Sequence, residues 1–248
     1  MEQNKEVAWF ENWFDTSWYH TLYQDRNETE AEGFVASLMK VLDLPVPSNL
    51  LDLACGKGRH SIFLHSLGHK VLGVDLSANS ISLAKPFEEE GLRFRTGDMR
   101  EPRGNAEFDL VLNLFTSFGY FGSEEENLRV LTAIKTSLKP GGLLLVDFMN
   151  TARVIQNLVP ETETVKGGIH FSLKRSLENG NICKRISFEA NGKKHNFMES
   201  VQAISKDDFL RYFEKTGFDV VLLSGDYNMG PFDENTSERM IFLLRKPS

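Results

Sequence analysis

Leu50-Leu-Asp-Leu-Ala-Cys-Gly-Lys-Gly-Arg-His60 is the stretch that decides the fold. Its first half is an apolar run typical of a buried strand, and its second half is a glycine turn that leads into a helix. Glycine in such a turn lets the backbone approach a ligand closely, and we expect free N–H groups where the helix begins. Asp75 ends the next predicted strand, 19 residues beyond Gly56. A carboxylate in that place can accept both hydroxyls of a ribose.

Short apolar strands alternate with helices on both sides of this turn. The predicted strands are 49–55, 70–75, 92–96, 108–112, 143–147, 218–223 and 239–245. The predicted helices are 30–41, 60–67, 80–90, 124–138 and one that Ser205 caps and Gly217 ends. This alternation predicts an α/β fold with a seven-stranded, mostly parallel sheet and helices on both faces.

Residues 161–203 change to an alternation of apolar and polar residues with a period of two. The alternation is interrupted at Glu178-Asn-Gly-Asn181 and at Asn191-Gly192, and Asn-Gly between such runs is a strong hairpin signal. We therefore expect one domain over residues 1–248, with a small antiparallel β cap inserted at about 158–203.

The first 30 residues are rich in aromatic side chains, and residues 9–23 hold seven of them, including all three tryptophans. One interpretation is a helix that packs on the core. The other is a lid over residues 1–30, whose aromatic faces close over a ligand pocket. The sequence leaves both interpretations open.

Composition narrows the class of protein. The 28 Lys and Arg against 35 Asp and Glu give a formal net charge of −7, which argues against nucleic acid as the main partner. Two isolated cysteines, Cys55 and Cys183, exclude a disulfide scaffold and a cysteine-rich zinc site. No apolar run reaches the ~20 residues of a membrane span, and no signal sequence is evident, so we expect a cytoplasmic protein. His60, His65 and His69 surround one predicted helix, and we expect surface histidines rather than metal ligands.

The glycine turn favours a cationic ligand. A nicotinamide dehydrogenase would share Gly56, Gly58 and Asp75, but its pattern has a third glycine where this chain has Ser61. Its catalytic Tyr-x-x-x-Lys is absent as well. The pyrophosphate of a dinucleotide would lie beside the carboxylate of Asp52, whereas a positively charged ligand without phosphate suits that position.

S-adenosylmethionine (SAM) is such a ligand, and the sequence resembles the class I SAM-dependent methyltransferases in a series of motifs. Asp52-Leu-Ala-Cys-Gly56-Lys-Gly58 is similar to the family's acidic glycine loop, with Ala54 in place of its first glycine. Val74-Asp75-Leu76-Ser77 resembles the ribose-binding strand end, and Gly97-Asp98-Met99-Arg100 the adenine-binding segment. Residues 108–113 resemble the fourth strand, whose end faces the methyl group, and 138–142 the turn before the fifth.

The resemblance implies a Rossmann-like fold, SAM as cofactor, S-adenosylhomocysteine (SAH) as product and no metal. The cofactor-binding residues that it implies are Tyr19, Tyr23, Arg26, Asp52, Ala54, Gly56, Asp75, Leu76, Asp98, Met99, Asn113 and Leu114. The residues expected in the pocket of the methyl acceptor are Phe115, Phe118 and Tyr120.

A narrower resemblance concerns the order of the segments. Residues 19–26, the glycine loop, residues 114–120 and the antiparallel insertion are similar to the dTDP-amino-sugar N,N-dimethyltransferases. In that family a Tyr-containing N-terminal helix covers SAM, and Arg26 would pair with the SAM carboxylate. The end of the chain departs from the family, so the resemblance implies the architecture and not the amino-sugar substrate.

The expected reaction is methyl transfer to a small polar molecule, most simply at nitrogen, without nucleic acid or a membrane as partner. A neutral amine needs little help from a base, whereas a hydroxyl needs one, for which His20, Tyr23 or an acid in the cap are candidates. O-methylation of a small molecule and a SAM-binding protein without activity are alternative interpretations. The sequence indicates neither the acceptor nor the oligomeric state.

Overall fold

The computed structural model describes residues 13–24 and 28–248. Strands and helices alternate in its first half as predicted. These elements are α1 (Ser17–Leu22), α2 (Glu28–Leu42), β1 (Asn49–Leu53), α3 (Arg59–Ser66), β2 (Lys70–Asp75), α4 (Ala78–Ala84), β3 (Leu92–Thr96), β4 (Phe108–Asn113), α5 (Glu124–Ser137) and β5 (Leu138–Met149). The second half continues with α6 (Thr151–Gln156), β6 (Glu161–Lys166), β7 (Ile169–Glu178), β8 (Asn181–Ala190), β9 (Lys193–Gln202), α7 (Lys206–Thr216), β10 (Asp219–Ser224) and β11 (Arg239–Arg245).

Seven strands form the main sheet, in the order β10-β11-β5-β4-β1-β2-β3. The neighbouring strands from β5 to β3 are parallel, and β11 runs antiparallel to both β5 and β10. The prediction of a seven-stranded, mostly parallel sheet is therefore confirmed, and the architecture is Rossmann-like.

Both faces of the main sheet are buried, because successive residues of its central strands point to opposite sides. Leu50 and Leu110 pack with the apolar side chains of α2, α3 and α4. Leu51 and Val111 pack on the other face with those of α5 and α7. With both faces covered by helices, the carboxyl ends of the parallel strands are the place where a ligand can reach the sheet.

A second sheet, the cap sheet, contains β6, β7, β8 and β9 in antiparallel order. The last two of its three hairpins turn at Asn179-Gly180 and Asn191-Gly192, where all four residues have positive φ. Two consecutive residues with positive φ form the tight turn that suits a hairpin. The prediction of an antiparallel meander from the two Asn-Gly pairs is confirmed.

The N-terminal segment (residues 13–24) packs mainly on the cap sheet, and its Phe14 also packs against the core of the main sheet. Trp13 is completely buried, and with Leu22 it joins an apolar cluster that includes Phe171 and Phe188 of the cap sheet. The aromatic residues at positions 9 and 10 lie outside the described residues. The core that this segment helps to form is thus separate from the two cores of the main sheet.

Three local expectations need correction. The helix expected over 80–90 ends at Ala84 and is followed by a short 3₁₀ turn, Lys85–Phe87, because Pro86 has no N–H to continue an α-helix. The fifth strand is longer than expected, and α6 was not predicted. His60 and His69 are buried rather than on the surface. His69 Nδ1 lies 3.2 Å from the backbone N–H of Ser48, and His60 packs beside the cavity described below.

Two features are absent from residues 13–24 and 28–248. No helix there is both long and apolar enough to cross a membrane. No group of three or more His, Cys, Asp or Glu side chains is arranged there to hold a metal ion.

Candidate active site

A cavity of about 380 Å³ opens where β1, β2, β3 and β4 end. One wall comes from the loops after these strands, and the opposite wall from the N-terminal segment and one residue of the cap sheet. The predicted site residues that line it are Tyr19, His20, Tyr23, Asp52, Ala54, Gly56, Asp75, Leu76, Asp98, Met99, Leu114, Phe115 and Tyr120. The structure thus brings together side chains from five separate segments of the chain.

The glycine loop keeps its shape because it packs against β3 and bonds to β2. Gly58 has φ +84°, and a Cβ there would lie 2.5 Å from the ring of Phe94. The N–H of Gly56 donates to Asp75 Oδ2 at 2.8 Å, and the N–H of Gly58 donates to the carbonyl of Cys55 at 3.0 Å. Both N–H groups are therefore bound within the protein, so the expectation of free donors is wrong for these two residues.

Asp75 holds the loop and lines the cavity at the same time. Its Oδ1 accepts from the backbone N–H of Ser77 at 2.8 Å, while Oδ2 accepts from Gly56. Burial raises the pKa of this carboxyl, and the backbone hydrogen bonds act against the rise. Each carboxylate oxygen can accept more than one hydrogen bond, so Asp75 retains capacity for the hydroxyls of a ligand.

Asp52 is the deepest acidic group of the cavity, with 1% of its surface exposed. Burial raises its pKa to about 7, although Ser61 Oγ donates to its Oδ2 at 2.6 Å. Ser61, which stands where a dinucleotide site has its third glycine, therefore has a definite role as the hydrogen-bond donor to Asp52. A cationic ligand nearby would favour the ionised carboxylate.

Asp98 and Met99 line the cavity beyond the end of β3. Arg100 Nη2 lies 2.6 Å from Asp98 Oδ2, and its Nη1 lies 2.6 Å from Glu126 Oε1. Burial acts to raise the pKa of Asp98, but the hydrogen bonds and the charge of Arg100 outweigh it, so that the pKa is lowered. Asp98 is thus a fixed negative group at this end of the cavity.

The turn after β4 displays Leu114 and Phe115 to the cavity in a strained conformation. Phe115 and Thr116 both have positive φ, +55° and +60°, which side chains other than glycine adopt at a cost. The backbone N–H of Phe115 donates to Asp147 Oδ2 at 2.7 Å, and Asp147 forms a 2.7 Å ion pair with Arg239. Arg239 also donates to Thr116 Oγ1 at 3.0 Å. A buried ion pair therefore stabilises the turn.

Two predicted site residues lie outside the cavity wall. The side-chain amide of Asn113 is fully buried and lies 3.4 Å from the carbonyl of Leu53, within the main sheet. The ring of Phe118 is buried beside Phe209 of α7, 5.6 Å away, because the chain turns back into the core after the strained turn. A third, Arg26, lies outside the described residues.

Two histidines that line the cavity present nitrogen atoms that have no partner among the described residues. The His60 ring stacks on Phe115 at 4.9 Å, and its Nε2 is buried and unbonded. Burial, helped by the charge of Arg59, lowers the pKa of His60 to about 3. His20 Nε2 is likewise buried and unbonded, and burial together with Lys57 lowers its pKa. Both rings line the cavity in their neutral form, as acceptors or donors for a ligand.

Glu199 is a site residue that the sequence did not identify by position, although an acid in the cap was among the candidate bases. It is the one lining residue that the described cap sheet contributes, and its side chain is 14% exposed. Trp13 Nε1 donates to it at 2.8 Å, Tyr23 Oη at 2.6 Å and Lys184 Nζ at 3.0 Å. Burial acts to raise its pKa, but Lys184 and these hydrogen bonds outweigh it and lower the pKa. No local motif marks Glu199, because its partners Tyr23 and Trp13 are 176 and 186 positions away.

Comparisons with known proteins agree with this architecture. Residues 50–142 match the family model described as a methyltransferase domain. A relative from Geobacillus sp. (strain WCH70), provisionally named as a methyltransferase, is 26% identical over 92% of this chain and 97% of its own length. The dTDP-3-amino-3,4,6-trideoxy-alpha-D-glucopyranose N,N-dimethyltransferase of Streptomyces venezuelae is 31% identical over 47% of this chain. This chain covers 51% of that enzyme, so it spans about half of its length.

The fold itself has a close counterpart among solved structures. A SAM-dependent methyltransferase from Clostridium acetobutylicum superimposes with a TM-score of 0.79 at 20% identity, over 92% of this chain and 96% of that one. At this level of identity the similarity establishes the shared fold.

Proposed function

We propose a specific reaction for this chain, which is a class I methyltransferase by its matched domain, its fold and its relatives. In this reaction a methyl group passes from SAM to a nitrogen atom of a small polar molecule. The observation that carries the proposal is the cavity at the strand ends. There Asp52, Asp75 and Asp98 line a space of small-molecule size together with several aromatic rings.

The residues present fit SAM. Asp75 retains capacity for the ribose hydroxyls, and Asp98 and Met99 lie where the resemblance puts adenine. Asp52 and the unbonded Nε2 of His60 would face the methionine part, where a buried neutral imidazole and a carboxylate suit a positively charged group. Tyr19, Tyr23 and Leu114 would complete the cofactor site, with Arg26 as a further proposed contact.

When bound, SAM supplies a methyl group that its sulfonium has already activated. The protein therefore has to align the acceptor and exclude water. Phe14, Tyr19 and Tyr120 line the cavity with aromatic rings that would exclude water from the reacting atoms. His20 is held neutral, so its Nε2 can accept the proton that a methylated amine releases. Tyr23 is the second candidate for handling a proton, since its hydroxyl bonds to Glu199 and to Lys184.

We assign to the N-terminal segment and the cap sheet the role of closing the cavity over the substrate. Our proposal treats residues 1–30 as a lid and about 158–203 as a cap, both within one domain. Two contacts of the segment support this proposal. Asp15 accepts from Ser77 Oγ at 2.6 Å, next to the end of β2, and Tyr23 donates to Glu199 of the cap sheet. A cavity of about 380 Å³ admits a small acceptor more readily than a macromolecule.

Nitrogen is favoured as the accepting atom for two reasons. The similar enzyme from Streptomyces venezuelae methylates an amino group, as its name states. A neutral amine also reacts without a base that removes a proton before methyl transfer, so the cavity needs no such group for this reaction.

The test has two stages. Calorimetry should first show that the full chain binds SAM and SAH. The protein and methyl-labelled SAM should then be incubated with matched pairs of amines and hydroxyl compounds: glucosamine with glucose, ethanolamine with ethylene glycol, and glycine with glycolate. We expect SAH formation with at least one amine, and a methyl group on nitrogen by NMR. Methylation of the hydroxyl partners alone, or no affinity for SAM, would contradict the proposal.

A further inference from the structure

Glu199 is the one acidic group of the cavity that the cofactor does not explain. Among the described residues four carboxylates line the cavity, and three of them, Asp52, Asp75 and Asp98, lie at or just beyond the ends of β1, β2 and β3. Glu199 belongs to β9 of the cap sheet, on the opposite wall. With the cofactor bound at the strand ends as proposed, the carboxylate of Glu199 would border the part of the cavity that is left for the methyl acceptor.

The surroundings of Glu199 keep it ionised and direct its charge toward the cavity. Lys184, the cation that pairs with it at 3.0 Å, is not among the described residues that line the cavity, whereas Glu199 is. The pair is therefore a dipole with its negative end at the cavity wall. Trp13 and Tyr23 donate to the carboxylate from the N-terminal segment and fix its orientation.

Four aromatic rings form a chain of contacts that begins at Tyr23, whose hydroxyl donates to this carboxylate. Phe14 lies 5.0 Å from Tyr19 and 5.5 Å from Tyr120, and Tyr19 lies 5.0 Å from Tyr23. All four rings line the cavity. Aromatic faces attract cations, and substituted ammonium groups are commonly bound by several rings together with a carboxylate.

We propose that Glu199 is the residue by which this enzyme selects an aliphatic amine over a hydroxyl compound as methyl acceptor. The inference rests on the proposed function and specifies its substrate class: an amine whose nitrogen becomes a substituted ammonium group between Glu199 and the rings of Phe14, Tyr19 and Tyr120.

The charge balance of the reaction gives the reason. The nitrogen lone pair forms the new N–C bond, the C–S bond breaks with its electron pair going to sulfur, and the positive charge passes from sulfur to nitrogen. The ammonium product then loses a proton to His20 Nε2 or to water. A carboxylate on the acceptor side stabilises the charge that develops on nitrogen. With a hydroxyl acceptor the reacting oxygen becomes anionic before or during transfer, and the same carboxylate opposes it.

The experiment compares Glu199→Gln with Glu189→Gln in the full chain. Glu189 is an exposed carboxylate on the neighbouring strand β8, so its variant makes the same change in charge away from the cavity. The probe is tetramethylammonium ion, titrated by calorimetry into SAH-loaded protein, with tert-butanol as its neutral counterpart. We expect Glu199→Gln to weaken tetramethylammonium binding by about ten-fold or more and to leave tert-butanol binding and the affinity for SAH unchanged. Glu189→Gln should match the unaltered protein.

Activity and a second variant separate this role from others. The KM for an accepted amine should rise by a similar factor in Glu199→Gln. Lys184→Gln removes the balancing cation, so it should leave tetramethylammonium binding as tight or tighter. If Glu199 only fastened the N-terminal segment to the cap sheet, both variants would weaken binding together.

Three results would overturn the proposal. The first is equal tetramethylammonium affinity in Glu199→Gln and Glu189→Gln. The second is a loss of tetramethylammonium affinity in Lys184→Gln that equals the loss in Glu199→Gln. The third is a loss of affinity for SAM, but not for SAH, in Glu199→Gln. The last result would assign the carboxylate to the sulfonium. If amines are methylated but Glu199→Gln behaves as Glu189→Gln, only this inference fails. If no amine is methylated, the proposed function fails as well.

Discussion

The strand-end wall of the cavity holds Asp52, Asp75 and Asp98, and each of these acidic side chains lies at or just beyond the end of a strand that positions it. On the opposite wall, in contrast, side chains hold one another in place through hydrogen bonds. Asp52 and Asp75 are fixed by the parallel pairing of β1 with β2 and by short local hydrogen bonds. Glu199 and Tyr23 are fixed by a contact between segments 176 positions apart. The strand-end wall is therefore formed by the fold of the main sheet. The opposite wall depends on contacts between segments that are far apart in the sequence.

The difference predicts where mutations act. Substitutions on the strand-end wall should change the affinity for SAM and SAH alike, because that wall would hold the part that both share. Substitutions on the opposite wall should change acceptor binding, local opening or modest amounts of stability, with little effect on SAH. Four predictions test this division, beginning with the largest expected effect.

Asp75→Ala should weaken the binding of SAM and of SAH about ten- to a hundred-fold, roughly 1.5–3 kcal/mol. The substitution removes the proposed acceptor of the ribose hydroxyls and also frees the N–H of Gly56, which would loosen the glycine loop. Calorimetry on the folded variant measures both affinities. Asp109→Ala is the control, because Asp109 is a carboxylate of β4 that bonds to Lys139 and Asn49 and does not line the cavity. Unchanged SAH affinity in Asp75→Ala would contradict the division.

Asp52 should make SAM binding depend on pH. Its pKa is raised in the folded chain from 3.8 to about 7 by burial, so near pH 7 a cationic ligand has to displace a proton. We expect the affinity for SAM to rise about ten-fold from pH 6 to pH 8, and proton release to appear in calorimetry with buffers of different ionisation enthalpy. Asp52→Asn should remove this dependence.

The same shift gives a second check in the unliganded protein. Between about pH 4 and pH 7 the folded chain holds a proton on Asp52 that the unfolded chain has lost. The free energy of unfolding should therefore fall as the pH rises through this interval, and the fall should be smaller in Asp52→Asn. If the two proteins show the same slope, the carboxyl is not protonated in the folded state.

The N-terminal segment should exchange its amide hydrogens faster than β1 and β4 without ligand, and several-fold more slowly when SAM is bound. It packs mainly on the cap sheet, bonds to the start of α4 through Asp15, and reaches the core of the main sheet through Phe14. Segments that close over a site come from the less stable parts of a fold. Hydrogen exchange with mass spectrometry measures the effect over 13–24. Slow exchange that SAM does not change would favour the alternative, a helix that only contributes to a core.

Trp13→Phe should lower the stability of the opposite wall by about 1 kcal/mol and leave the affinity for SAH unaltered. The variant keeps an aromatic ring against Phe197 but removes the N–H that donates to Glu199. Glu199 keeps its hydrogen bonds to Tyr23 and Lys184. The expected loss of stability is therefore at the lower end of the range for a hydrogen bond to a charged group. Thermal unfolding should show a decrease of about 2–4 °C.

Trp18→Phe is the matched control for that measurement. The ring of Trp18 packs at 5.5 Å from Phe188 and would be replaced by a ring of the same kind. Its effect on the midpoint of unfolding should be smaller than that of Trp13→Phe. A drop in SAH affinity in Trp13→Phe would mean that the two walls are coupled more strongly than the structure suggests.

The same contrast explains how much could be predicted from the sequence. Apolar runs, glycines and Asn-Gly pairs act within a few residues, so the strands of the main sheet, two hairpins of the cap sheet and the positions of Asp52, Asp75 and Asp98 at the strand ends follow from local patterns. Glu199 could not be predicted in this way, because nothing near it in sequence distinguishes it from other polar residues of β9. Phe118 was misplaced for a related reason: the pattern after β4 does not reveal that the chain turns back into the core.

The histidines show a further limit of local patterns. Spacing around α3 favoured exposed rings, but His60 is buried because Phe115 stacks on it from a turn 55 positions later. Burial that depends on such a partner cannot be read from helical periodicity. It also decides the chemistry, since it keeps the ring neutral.

The strained turn at Phe115-Thr116 has a consequence for how this enzyme could diversify. Its backbone is anchored by Asp147 and Arg239, which bind an N–H group and the Thr116 hydroxyl and not the ring of Phe115. The anchor and the displayed side chain are thus separate targets for natural variation. Position 115 can change the shape of the cavity while 116, 147 and 239 hold the turn in place. A descendant with a new acceptor would be expected to differ at 115 and at cap positions such as 199, and to retain the anchor.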